Sequence, residues 1–220
     1  MHGRAVAVAV AEVRVLGGVD PAVGGHVSDS FKKPAPGCGK VGGMTPLTQS
    51  YLDQADLFTA VVDAATDWSA PSPCEEWTAA DVVEHVVSTQ RGYFDQRGAS
   101  LGELPGDDPS TRWHTHLGQV RDAMADDGFA TTEFDGYFGR TTVDELLANF
   151  YGFDMTVHRW DLGEAVGAPV TFTDDELDRI EQGIDGLGDM LYSSGACKPP
   201  LEVPDDAPRQ ERVLGRLGRS

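Results

Sequence analysis

Residues 142–167 read TVDELLANFYGFDMTVHRWDLGEAVG, and this stretch decides the fold class. Thr142 stands where a helix N-cap belongs, and Glu145 follows three residues later, the spacing of a capping box. Leu146, Phe150, Val157 and Ala165 recur with the spacing of one helical face until Gly167 and Pro169 supply a stop. The pattern predicts one long, well-capped helix. Within it, Asp154 and His158 lie four residues apart, so both side chains project from the same face about one turn apart. They sit on or beside the stripe of Leu147, Phe150 and Val157, which is expected to face an interior.

Upstream, the same periodicity recurs. From Thr48 onward, Leu52, Ala55, Phe58, Val62 and Ala65 share a face, and Pro71 and Pro73 break the chain after Trp68. A second helix starts at Thr78, with Asp81 at the third position and Trp77 and Val82 placed for a hydrophobic staple. Its inward face is expected to hold Val82, His85, Val86, Thr89 and Tyr93. A third helix spans about Ser110 to Ala125, with Leu117, Val120 and Met124 inward, and a loop rich in Gly, Thr and Phe occupies residues 128–140. Thr173 and Glu176 open a further helix ending near Tyr192, and the Pro-punctuated tail carries a short helix. Alternating strand runs and internal repeats are absent. The chain therefore reads as all-α: a four-helix bundle with one or two longer crossings and an additional C-terminal helix.

Charge divides the 220 residues unevenly. The whole chain carries −19, yet residues 1–43 are net +2 and residues 44–220 are −21. The first segment also holds 9 of the 26 glycines. It is expected to be a disordered Gly-rich extension, with the helical domain over residues 44–220. Such acidity argues against nucleic-acid partners and anionic membrane surfaces, which select clustered Lys and Arg. Three scattered cysteines make no disulfide framework, and the longest near-apolar run, Ala5 to Ala11, is too short to span a bilayer. A cytoplasmic protein is expected. The P-loop, dinucleotide and G-x-S-x-G signatures are missing, which sets aside phosphate-cofactor and serine-hydrolase chemistry.

His85 on the second helix, with Asp154 and His158 on the fourth, is the constellation that can carry chemistry. Two imidazoles and one carboxylate can hold one side of a divalent ion and leave positions open for water or substrate, as catalytic rather than structural sites do. Spacing alone leaves two readings open, since a D-x3-H pair is also an ordinary i,i+4 contact and an inward His is often only packed. Around this group, Asp161 lies one turn from His158, either orienting its imidazole or sitting on the surface near Arg159. Cys74, before a helix N-terminus but beside Glu75 and Glu76, is expected to pack rather than react. Trp77 and Trp160 are expected to be packing anchors. His114 and His116 point in different directions and are expected on a solvated surface. Arg91 and Arg140 are candidates to meet an anionic substrate.

Two stretches carry a family resemblance: Pro71-Ser72-Pro73-Cys74-Glu75-Glu76-Trp77-Thr78 with Asp81-Val82-Val83-Glu84-His85-Val86-Val87, and Asp154-Met155-Thr156-Val157-His158-Arg159-Trp160-Asp161-Leu162. The ending, Pro204-Asp205-Asp206-Ala207 then Arg212 to Arg219, is similar too. Together they resemble the DinB superfamily, and within it the mycothiol-dependent maleylpyruvate isomerase-like proteins and their single-domain actinobacterial relatives. The resemblance implies a DinB-like four-helix bundle binding a divalent metal through His85, Asp154 and His158, with zinc foremost and nickel or iron as alternatives. It further implies mycothiol or another small thiol as cosubstrate and a small electrophile as its target. The isomerase carries Glu where this chain has Asp154, whereas the single-domain relatives carry Asp. Little chain remains after the bundle for the isomerase's additional C-terminal domain. Maleylpyruvate isomerisation itself is therefore not expected; the implied activity is that of another mycothiol-dependent S-transferase or isomerase, acting as a monomer or homodimer. The alternatives are a non-catalytic metal-binding bundle and a bundle without metal.

Overall fold

Capping chemistry sets most of the helix starts. In a computed structural model, which describes residues 44–136, 139–193 and 197–220, the Thr45 hydroxyl accepts from the Thr48 N–H to open α1 (Pro46–Ala64). Thr78 and Asp81 form the expected reciprocal box at the head of α2 (Ala79–Gln96). Asp108 caps α3 (Pro109–Met124), and Thr173 with Glu176 forms a second full box on α7 (Asp174–Leu187). Residues 1–43, the expected disordered extension, lie outside the described residues.

Between α3 and the fourth long helix the chain does what the sequence did not announce. A short α4 (Asp127–Ala130) leads into an antiparallel hairpin, β1 (Glu133–Gly136) and β2 (Gly139–Thr142), where only a loop was expected. Its strands are four residues each, with Phe134 as the one large apolar side chain described, so no alternating run marks them. Phe134 packs against the core and takes the Arg97 guanidinium over its ring.

The expected long helix exists as three consecutive segments: α5 (Val143–Leu146), a π-helical turn (Leu147–Tyr151) and α6 (Gly152–Val166). Thr142 caps α5 by accepting from the Glu145 N–H, but the box is only half made, because the Glu145 carboxylate takes the Thr141 hydroxyl instead. The π turn lies immediately before Gly152, where α1 comes closest. A Cβ on Gly152 would stand 2.9 Å from Gln54 Oε1, so any larger residue there would have to displace the Gln54 side chain of α1. Gln54 is itself fixed, donating to the Ser50 carbonyl and accepting from the Thr156 hydroxyl. Gly167, at φ 71°, ends α6 in the left-handed conformation.

In the bundle, α1 packs on α3 and α6, and α2 packs on the same two helices. Helices α1 and α2 thus face each other diagonally, and the connections from α1 to α2 and from α3 to α6 are the two longer crossings. The main core joins Tyr51, Phe58, Val86, Trp113, Leu147, Met155 and Leu162. A second core lies on the far side of α6, where Val157 and Trp160 meet Ile180 and Ile184 of α7 and Val213 and Leu214 of α9 (Arg209–Arg216). Helix α6 is therefore buried on both sides, and every residue from Met155 to Gly163 is buried. The helix expected to end near Tyr192 stops at Leu187, and a separate turn, α8 (Met190–Ser193), follows. Among the described residues no helix is long and apolar enough to cross a membrane.

Candidate metal centre

Helices α2 and α6 pack against each other, and three side chains converge between them. His85 Nε2 lies 3.5 Å and 3.4 Å from the two oxygens of Asp154. His158 Nε2 lies 3.4 Å from Asp154 Oδ1. The two imidazoles meet edge to face with centroids 4.6 Å apart. One ligand atom from each of the three residues falls within 4.8 Å of the others. These nitrogen–oxygen separations exceed good hydrogen bonds. They match the roughly 3.3 Å edge of a tetrahedron whose metal–ligand bonds are about 2.0–2.1 Å. Chemistry and spacing therefore both fit a divalent ion. His158 is the most enclosed member, at 9% side-chain exposure, and Asp154 the most open, at 28%. The group is thus most exposed to solvent along its Asp154 side.

The neighbouring residues hold the rings in place. His158 Nδ1 lies 2.9 Å from Asp161 Oδ2, so Nδ1–H donates to the carboxylate and Nε2 is left facing Asp154, protonated on the charged ring and free to offer its lone pair once an ion takes the proton's place. Asp161 is fully buried, which decides between the two roles open to it: it orients the imidazole and is not a surface group. Its other partner is Arg219, whose Nε donates to Oδ1 and Nη2 to Oδ2, each at 2.8 Å. The Cys74 thiol also donates to Asp161 Oδ2, at 3.3 Å. Trp77 covers both imidazoles, at centroid distances of 5.0 Å from His85 and 5.8 Å from His158. Cys74 and Trp77 arrive on the turn from Pro71 to Thr78, where Glu76 takes a left-handed φ of 64°. On the other ring, His85 Nδ1 is buried without a partner among the described residues.

The electrostatics follow from these contacts. Burial opposes the charge on Asp154, but the His158 and His85 imidazoles outweigh it and hold the carboxyl well below the usual carboxylate range. Burial likewise opposes a charged His158, yet Asp154, Asp161 and Cys74 raise it well above its ordinary 6.5. Burial would raise Asp161, but the Arg219 guanidinium and His158 keep it ionised.

A second group of potential ligands, Cys74, His158 and Asp161, shares His158 with the first. There the guanidinium already occupies both oxygens of Asp161, and a second cation would have to displace it. The first group is the better candidate for a metal.

Other sequence expectations fare differently. His114 is exposed beside Asp63, as expected, but His116 is fully buried, with Nε2 2.8 Å from Gln90 Oε1. Arg91 is committed to the Gln119 side chain and to the Leu101 and Gly102 carbonyls. Arg140 pairs with Glu133 on the hairpin and lines a cavity of about 580 Å³ beside Phe150, Phe153 and Arg179. None of the three metal-centre residues lines that cavity. Trp160 anchors the second core, as expected. Arg219 was not legible as part of the site, since 58 residues separate it from Asp161.

Residues 51–163 match the model of one protein family, described as the mycothiol maleylpyruvate isomerase N-terminal domain. The match spans α1 through α6, and all three metal-centre residues fall inside it. No curated protein and no solved structure gives a significant match.

Proposed function

The chain belongs to the mycothiol maleylpyruvate isomerase N-terminal domain family, and from that premise we propose that it binds a divalent metal ion through His85, Asp154 and His158 and acts on a small thiol of the mycothiol type. The observation that carries this reading is the convergence of both Nε2 atoms on one carboxylate at 3.4–3.5 Å. Two imidazoles and a carboxylate suit zinc first, with nickel and iron as the other candidates. When bound, such an ion lowers the pKa of a coordinated thiol, so that the nucleophilic thiolate forms near neutral pH. The protein's own part is positioning. Asp161 holds the His158 ring in one tautomer, and Trp77 closes one side of the pair of imidazoles. The Asp154 side, the most exposed of the three, is where the thiol and a small electrophile that it attacks would approach, in an S-transfer or isomerisation.

The test is consumption of mycothiol, or of a simple cysteine conjugate in its place, by an electrophile such as 1-chloro-2,4-dinitrobenzene. Turnover should depend on added Zn²⁺, Ni²⁺ or Fe²⁺, stop with a chelator, and fall by at least about a hundred-fold in His158→Ala. Metal binding with no turnover across thiols and electrophiles would leave a non-catalytic metal-binding bundle and refute the thiol-transfer reading.

A further inference from the structure

We propose that Arg219 is a positioning residue for His158, acting through Asp161 from the C-terminal segment of the chain. The contact is built as a clamp. Arg219 is a tenth exposed and Asp161 not at all, and the guanidinium fork spans both carboxylate oxygens at 2.8 Å. Asp161 Oδ2 then accepts from three donors at once: Arg219 Nη2, His158 Nδ1–H and, more weakly, the Cys74 thiol. A carboxylate held at both oxygens cannot rotate away from Nδ1. Nδ1 therefore keeps its proton and its direction, and Nε2 stays turned toward Asp154.

The same fork also touches both described cysteines. Nη2 lies 3.8 Å from Cys74 Sγ and Nη1 3.9 Å from Cys197 Sγ. The guanidinium thus ties the tail to the Pro71–Thr78 turn as well as to α6. The bland alternative is an ion pair that merely fastens the tail. It does not require the shared oxygen, whereas the positioning role depends on it. By contrast, among the described residues the His85 ring has no such partner on Nδ1, so there the two imidazoles are supported unequally. The metal half of this inference rests on the reading given under Proposed function, but the ring half does not.

The experiment uses full-length protein with ¹⁵N-labelled histidine and compares wild type with Arg219→Gln. Nδ1 of His158 carries hydrogen in both the neutral and the charged ring, so the metal-free wild type should give a persistent, slowly exchanging Nδ1–H resonance. Arg219→Gln should lose that resonance to exchange with water while keeping its far-ultraviolet circular dichroism. Zn²⁺ affinity, read by competition with a chromogenic chelator, should fall about ten-fold. Arg219→Lys keeps the charge but cannot span both oxygens. It serves where the glutamine variant fails to fold, and should show a smaller loss in the same direction. A resonance and an affinity equal to wild type in a folded Arg219 variant would overturn the proposal. Loss of the resonance in a protein that binds no Zn²⁺ even as wild type would support the positioning role and refute the metal reading instead.

Discussion

His116 shows what one misplaced side chain reveals about reading a helix. Residues two apart on a helix point in different directions, so His114 and His116 cannot both be at the surface if either lies near the inward stripe. Trp113, Leu117, Val120 and Met124 define that stripe, and position 116 falls within it. Once inside, His116 stays neutral: burial pushes it from 6.5 down to about 3, and Arg91 adds to the effect. Because the folded value lies below the unfolded one, the associated stability is complete above pH 6.5 and is lost as pH falls from there toward 3. By pH 5 the loss should reach about 2 kcal/mol, from the unfolded state's preference for the proton. Urea denaturation of wild type and His116→Leu between pH 7 and pH 5 would check this. The wild-type curve should fall more steeply, and parallel curves would contradict it.

At the scale of elements, caps and periodicity gave the long helices their starts and faces, because each depends on residues within one or two turns. Thr78 with Asp81 and Thr173 with Glu176 form full boxes where they were expected. The hairpin was not legible because its strands are short and polar, and what secures it, Phe134 under Arg97, is a tertiary contact. The π turn was not legible either. It depends on how closely α1 approaches α6, and Gly152 reads in sequence only as a weak helix residue. The turn directly precedes the segment that carries Asp154 and His158, in keeping with the frequent placement of π bulges at functional sites. Gly152→Ala should therefore cost about 1–3 kcal/mol and also weaken metal binding. Adding Gln54→Ala should restore part of both, since the clash is with that side chain. Chemical denaturation and chelator competition on the single and double variants would measure it. An unchanged Gly152→Ala protein would show that the contact does not set the turn.

For the whole molecule, the decisive feature is a central helix buried on both sides. Helix α6 carries the main core on one face and the second core of α7 and α9 on the other. A buried Arg159–Glu176 pair at 2.7 Å joins it to α7. Such a helix shows little amphipathicity, so its place in the architecture was visible only through its partners. Two of the three metal-centre residues come from it, and Asp161, their support, lies one turn further along. That His85, Asp154 and His158 come together was within reach of sequence reading, because all three lie inside the stretches that carry the family resemblance. The support from Arg219 was not, because the ending it belongs to shows no partner in sequence and reaches Asp161, 58 residues away, only in three dimensions.

All of this converges on the claim that His85, Asp154 and His158 form a metal centre. The most direct measurement is elemental analysis of the full chain, purified without a histidine tag, beside His85→Ala and His158→Ala. The account predicts about one zinc, nickel or iron ion per wild-type chain and almost none in either variant. Wild-type protein that stays metal-free after reconstitution with Zn²⁺, Ni²⁺ and Fe²⁺, or variants that retain the full metal content, would contradict it.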